Sequence, residues 1–239
     1  MTPLPKSVKR ALNTTPRLKR LVQRVRASAL RRFGKARIRP LNEVHAFWRQ
    51  PAPEGNDPSV FAERSARSDA LVTLIRRETD SSARLLEVGC NVGRNLAYLR
   101  RAGFKNLEGI EINPHAVELL RERHPELSDV VVHVGAAEDL LARYPDDEFD
   151  LVFTMAVIEH IHPDSSVVFD NMARIARRIL AIEPFGYSSP RHYPHDVRKL
   201  FTDRGFRLVR ATPMSDLVPP ILGEASMREY VAWEFARRG

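Results

Sequence analysis

From residue 84 onward the chain alternates short apolar, β-branched runs with stretches that carry apolar residues at helical spacing. No other feature limits the fold as much. Strand patterns fall at 84–88, 107–112, 130–134, 149–155, 179–183, 206–211 and 230–236, and helical patterns at 93–101, 114–123, 165–176 and 196–204. Strands separated by helices run parallel, because the crossover returns the chain to the same edge. The final pair, joined by a long connection, suits an antiparallel edge. The alternation therefore predicts an α/β fold: a doubly wound, mostly parallel seven-stranded sheet with an antiparallel last strand, helices on both faces and an N-terminal helical extension. A Pro- and Gly-rich loop at 50–60 and a helix at 61–77 precede the core. Three segments result: a basic amphipathic helical arm (1–42), a helical lid or cap region (43–83) and the main domain (84–239).

The first strand runs into Val88-Gly89-Cys90-Asn91-Val92-Gly93-Arg94-Asn95 and then a helix. In sheets of this kind ligands bind outside the carboxyl ends of the strands. A dinucleotide fingerprint needs G-x-G-x-x-G, but Asn91 and Arg94 stand where its second and third glycines belong. A phosphate loop fails as well, since the Lys-Ser/Thr pair is absent.

This strand-loop-helix resembles the first motif of the class I S-adenosylmethionine (SAM)-dependent methyltransferases, in their small-molecule branch. That motif is an acid followed by x-Gly-x-Gly-x-Gly, matched by Glu87, Gly89 and Gly93 with Asn91 at the middle glycine. Asn enters the left-handed region more readily than most residues. Glu111, ending the second strand pattern, matches the acid that takes the ribose hydroxyls, and Ile112 the residue on the adenine. Gly135-Ala136-Ala137-Glu138-Asp139-Leu140 resembles the family's third motif, with Ala136 at the position of its adenine-binding Asp. The fourth strand and Val157-Ile158-Glu159-His160-Ile161 match too. The resemblance covers about residues 84–185. It implies a cofactor, SAM, held by Glu87, Gly89, Cys90, Asn91, Gly93, Glu111, Ile112, Ala137, Glu138 and Thr154. It also implies methyl transfer by in-line displacement to a small-molecule or a lipid- or saccharide-linked acceptor.

Catalytic candidates are His160, after the fourth strand, and His192 and His195, after the fifth. Each position borders the expected acceptor pocket, and an imidazole is the side chain suited to proton transfer near neutrality. Cys90 reads as a packing residue. Trp48, Phe61, Arg64 and Arg67 precede the core, where such residues cap a cofactor or lie solvated on a lid. No metal is expected, because the acidic pattern of metal-dependent methyltransferases is missing.

Charge is unevenly distributed. Of a net +8, residues 1–42 supply thirteen Lys and Arg with no acid before Glu43, so the remainder is net negative. Thr15-Pro16 reads as a helix start and Gly34 as a stop. Leu18, Leu21, Val22, Val25, Ala29 and Phe33 form an apolar stripe between arginines. Three uses of residues 15–34 stay open: docking on an anionic membrane surface or a protein partner, which is favoured; binding nucleic acid; and a mitochondrial transit segment. An RNA methyltransferase or a non-catalytic nucleic-acid-binding module is accordingly the alternative function. Against it, Thr154-Met155-Ala156-Val157 stands in place of the Asn/Asp-Pro-Pro-Tyr type motif. One cysteine excludes an internal disulfide. The apolar run 151–158 is far shorter than the roughly 20 residues of a membrane span. A cytoplasmic protein, at most peripheral to a membrane, is expected.

Overall fold

The computed structural model describes residues 38–50, 57–58, 65–184, 192–218, 227 and 229–238. The chain divides into two units, Met1–Arg39 and Pro40–Gly239, and every element below belongs to the second. The arm helix read at 15–34, together with Phe61 and Arg64, lies outside the described residues.

The elements in order are α1 (Leu41–Arg49), α2 (Ser65–Glu78), β1 (Arg84–Val88), α3 (Arg94–Arg101), β2 (Asn106–Glu111), α4 (Pro114–Arg123), β3 (Val131–Val134), α5 (Ala137–Leu140), β4 (Phe149–Met155), α6 (Val167–Ile175), β5 (Ala176–Pro184), α7 (Val197–Thr202), β6 (Phe206–Pro213) and β7 (Tyr230–Arg237). The seven strands form one sheet in the order β3-β2-β1-β4-β5-β7-β6. β1 to β5 pair in parallel, whereas β7 is antiparallel to both β5 and β6. The antiparallel last strand agrees with the sequence. Its place is refined: β7 inserts beside β5 and leaves β6 at the edge.

Strand alternation explains why helices cover both faces. Leu85, Leu151 and Phe153 point to one side, into a cluster with Leu71, Leu74 and Ile75 of α2 and Leu96 and Leu99 of α3. Leu86, Val88 and Val152 point to the other, against Phe169 and Met172 of α6 and Phe201 of α7. The helix ends follow local chemistry. Asn113 caps α4 by accepting the His115 N–H, with Pro114 in the first turn. Asp196 does the same for α7 through the Lys199 N–H.

The strand order reverses at β1 and β4: the chain first builds outward to β2 and β3, then returns to lay β4 on the other side of β1. Such a switch point opens a crevice at the strand carboxyl ends.

Candidate functional site

A cavity of about 360 Å³ occupies that crevice, within the roughly 300–1,000 Å³ usual for small-molecule sites. Its floor is the turn from β1 into α3. Gly89 and Gly93 take φ of +78° and +74°, and Asn91 takes +49°. A Cβ on Gly89 would lie 2.6 Å from Val157 Cγ2, and one on Gly93 would lie 2.5 Å from Leu120 Cγ. Glycine is therefore required at both positions by backbone angle and by space.

Glu87, at the end of β1, is buried, and Asn95 Nδ2 donates to its Oε1 at 2.7 Å. Ser68 and Arg94 hold that amide in place: Ser68 Oγ donates to Asn95 Oδ1 at 2.7 Å, and Arg94 Nε donates to Ser68 Oγ at 2.8 Å. Oε2 of Glu87 is buried without a hydrogen-bond partner. Burial pushes this carboxyl up to about 8, against the Asn95 hydrogen bond and the Arg94 charge. An orphaned carboxyl oxygen on a cavity wall fits a cationic ligand, whose charge would favour the ionised form.

Glu111 stands beside it at the end of β2. Its oxygens accept the backbone N–H of Asn91 at 2.8 Å and of Asn113 at 2.9 Å. Burial raises its pKa while these amides pull it back. A carboxylate has about four lone-pair sites, so acceptor capacity remains for a ligand hydroxyl. The Glu111–Asn91 bond also ties the end of β2 to the glycine loop.

Most of the residues expected from the sequence line this one cavity: Glu87, Gly89, Cys90, Asn91, Glu111, Ile112, Ala137 and Glu138. Gly93 does not line it; it shapes the turn behind the wall, against Leu120. The Cys90 side chain turns inward; a Cβ on Gly109 would sit 2.9 Å from its sulfur, and burial pushes the thiol up. Thr154 does not line the cavity. Its hydroxyl is spent on Glu183 Oε1, at 2.8 Å in the interior between β4 and β5. The histidines divide similarly. His160 and His192 reach the cavity, with ring centroids 4.6 Å apart. His195 does not: its Nε2 lies 2.8 Å from the Ile161 carbonyl, its ring packs on Phe169, and burial lowers its pKa. It ties the segment after β5 to the loop after β4.

Trp48 and Arg67, expected to cap a cofactor or lie solvated on a lid, both line the cavity, whereas the inner stripe of α1, the burial of Glu159 and the turn after β4 were not read from the sequence. Helix α1 covers the cavity with Leu41, Val44, His45 and Trp48, an i, i+3, i+4, i+7 stripe legible in principle. His45 Nε2 lies 3.1 Å from Glu138 Oε1, and Trp48 packs on His160 at 4.3 Å. Glu159, preceding His160, is buried and accepts from the Tyr230 hydroxyl at 3.1 Å. Arg67 of α2 is buried and lines the wall as well. Directly after β4, Ala156 adopts φ +59° and donates to the Ile182 carbonyl. This sparsely populated backbone swings Val157 over Gly89 and carries Glu159 and His160 to the cavity mouth.

Residues 86–179 match a family model described as a methyltransferase domain. Methyltransferase GfsG of Streptomyces halstedii is 28% identical over 137 residues, covering 57% of this chain and 47% of that protein. The fatty-acid O-methyltransferase of Mycolicibacterium smegmatis is 32% identical over 96 residues, covering 39% and 33%. The chain thus spans less than half the length of either relative. Among solved structures, magnesium protoporphyrin IX methyltransferase from Synechocystis PCC 6803 with bound SAM superposes with a TM-score of 0.61 at 18% identity, over 82% of this chain and 96% of that one. Residues 86–179 are thus similar to a methyltransferase domain, and the sheet around them shares the fold of the Synechocystis enzyme.

Proposed function

We propose that the protein is a SAM-dependent methyltransferase acting on a small-molecule acceptor. One observation carries this reading: Glu87 and Glu111 end adjacent strands on a single cavity, with a glycine turn between them and one Glu87 oxygen unsatisfied. The relatives' names point the same way, away from an RNA acceptor. When bound, SAM supplies a methyl group activated by a sulfonium centre.

The roles of the chain's own residues follow from their positions. The carboxylate of Glu87 faces the cationic methionine end. Backbone amides of the turn favour that end's carboxylate, and Glu111 takes the ribose hydroxyls. Ile112, Ala137 and Glu138 border the base. Helix α1 excludes water, and alignment of the reacting atoms supplies most of the rate enhancement in a displacement of this kind. His160 and His192 are the groups able to take a proton from an acceptor; His195 is occupied structurally. A lipid- or saccharide-linked acceptor, and docking of residues 15–34 on an anionic membrane or a protein partner, complete the proposal.

Calorimetry with SAM and with its demethylated product tests the core of it. Binding in the micromolar range is expected, and no binding at millimolar ligand overturns the reading. Glu111→Ala should weaken binding by about tenfold or more, as loss of charge-assisted hydrogen bonds does. Unchanged affinity would remove Glu111 from the ribose.

A further inference from the structure

We propose that Glu159, His160 and His192 form a binding site for one divalent metal ion of the zinc class at the mouth of the cavity. One carboxylate oxygen and one nitrogen from each imidazole lie within 4.8 Å of one another, and all three residues line the cavity. Glu159 Oε1 is 3.9 Å from His160 Nε2, and Glu159 Oε2 is 3.9 Å from His192 Nε2. These separations are too long for direct hydrogen bonds, which close at about 2.7–3.2 Å. They suit a shared ion. Zinc bonds of about 2.0–2.2 Å in tetrahedral geometry place ligand atoms roughly 3.4 Å apart. The two 3.9 Å pairs close on an ion by about half an ångström and the widest pair by about 1.4 Å at most, within reach of side-chain rotation.

The surroundings behave like the outer shell of such a centre. The Tyr230 hydroxyl donates to Glu159 and orients the carboxylate. The Tyr193 N–H donates to the Glu159 carbonyl at 2.6 Å, which locks the segment bearing His192 to the turn bearing Glu159. Trp48 packs on His160, and His160 on His192. Two imidazoles and one carboxylate form a ligand set with open positions, as in catalytic zinc sites; with an ion bound, His160 and His192 act as ligands and no longer as proton acceptors. Cys90, the one cysteine, is turned into the core and plays no part. The metal site stands on its own geometry. The statement that its open positions take an oxygen-bearing acceptor, a hydroxyl or carboxylate lowered in basicity by the ion, rests on the methyltransferase reading.

Zn(II) titrated calorimetrically into the full chain, without an affinity tag and stripped by chelator, tests it. One ion per chain is expected. His160→Ala and His192→Ala should each weaken binding at least about tenfold, and exposed His115→Ala should leave it unchanged. Co(II) in place of zinc should give visible bands of a nitrogen- and oxygen-ligated ion without a sulfur charge-transfer band, lost in His192→Ala. Absence of stoichiometric binding, site variants that bind zinc as tightly as the parent, or a loss in His115→Ala as large as theirs each overturns the proposal. Demethylated SAM is titrated into every variant. Its retained binding shows that they fold, and its failure in the unaltered chain counts against the cofactor reading while leaving the metal result to stand.

Discussion

At the scale of single residues, the site is governed by buried carboxyls. Glu87 titrates near 8 in the folded chain, against 4.5 for an ordinary glutamate. Between those values the unfolded chain has lost this proton while the folded chain keeps it, so the unliganded protein loses stability as pH rises. The contribution is fully present below about 4.5 and gone above about 8. Glu87→Gln removes it. The variant's melting temperature should exceed the parent's by more at pH 8 than at pH 5, read by calorimetric scans at both. The same substitution should weaken SAM at least about tenfold, because a cation loses its countercharge. Thr154 shows the limit of a motif at this scale. Its position on the fourth strand is correct, yet the neighbouring Glu183, unseen in any local pattern, takes its hydroxyl.

At the scale of elements, the turn from β1 into α3 and the lid α1 carry different risks. Gly93→Ala meets a strained φ and the Leu120 side chain together. A loss of about 2 kcal/mol or more is expected, measured by urea unfolding. The lid is held more lightly, by the His45–Glu138 pair and the Trp48 ring. His45→Ala should raise the dissociation constant for demethylated SAM by only a few-fold, the size expected of one partly exposed pair, and should speed hydrogen exchange in 41–49. Trp48 fluorescence should change when ligand binds, and Trp48→Phe should abolish that change while Trp233 still emits. The strands and helices from 84 onward were legible because period-2 and period-3.6 patterns were long and bounded by Asn, Asp and Gly. A helical lid was expected across 43–83, but the bounds and inner face of α1 were not legible, because its stripe mixes His45 and Trp48 with Leu41 and Val44. A histidine on the inner face does not announce itself as buried.

For the molecule as a whole, the sequence carried the sheet, and the meeting of the β1 and β2 end residues, further than the meeting of the histidines. Glu87, Gly89, Gly93 and Glu111 lie in one motif series along adjacent strands, so their meeting follows from the topology. His160, His192, Glu159 and Tyr230 come from segments up to 71 residues apart, and only the packed structure separates them from His195. The chain divides into its two units between Arg39 and Pro40. A chain beginning at Pro40 should keep the parent's melting temperature within a few degrees and its affinity for SAM. If residues 15–34 dock on anionic lipid, flotation with phosphatidylserine-rich vesicles should be lost in that shorter chain and weaken with salt in the longer one.

The insertion of β7 between β5 and β6 also sets an order of assembly. During synthesis β1 to β5 emerge in a sequence that lets each find a neighbour already made. β6 emerges before the one strand it pairs with. It must wait, unpaired, until β7 arrives to bridge it to the sheet. β7 also brings Tyr230 to Glu159. The corner proposed for the methyl donor can therefore form while the nascent chain is still incomplete, and the corner proposed for the acceptor is among the last parts of the protein to be built.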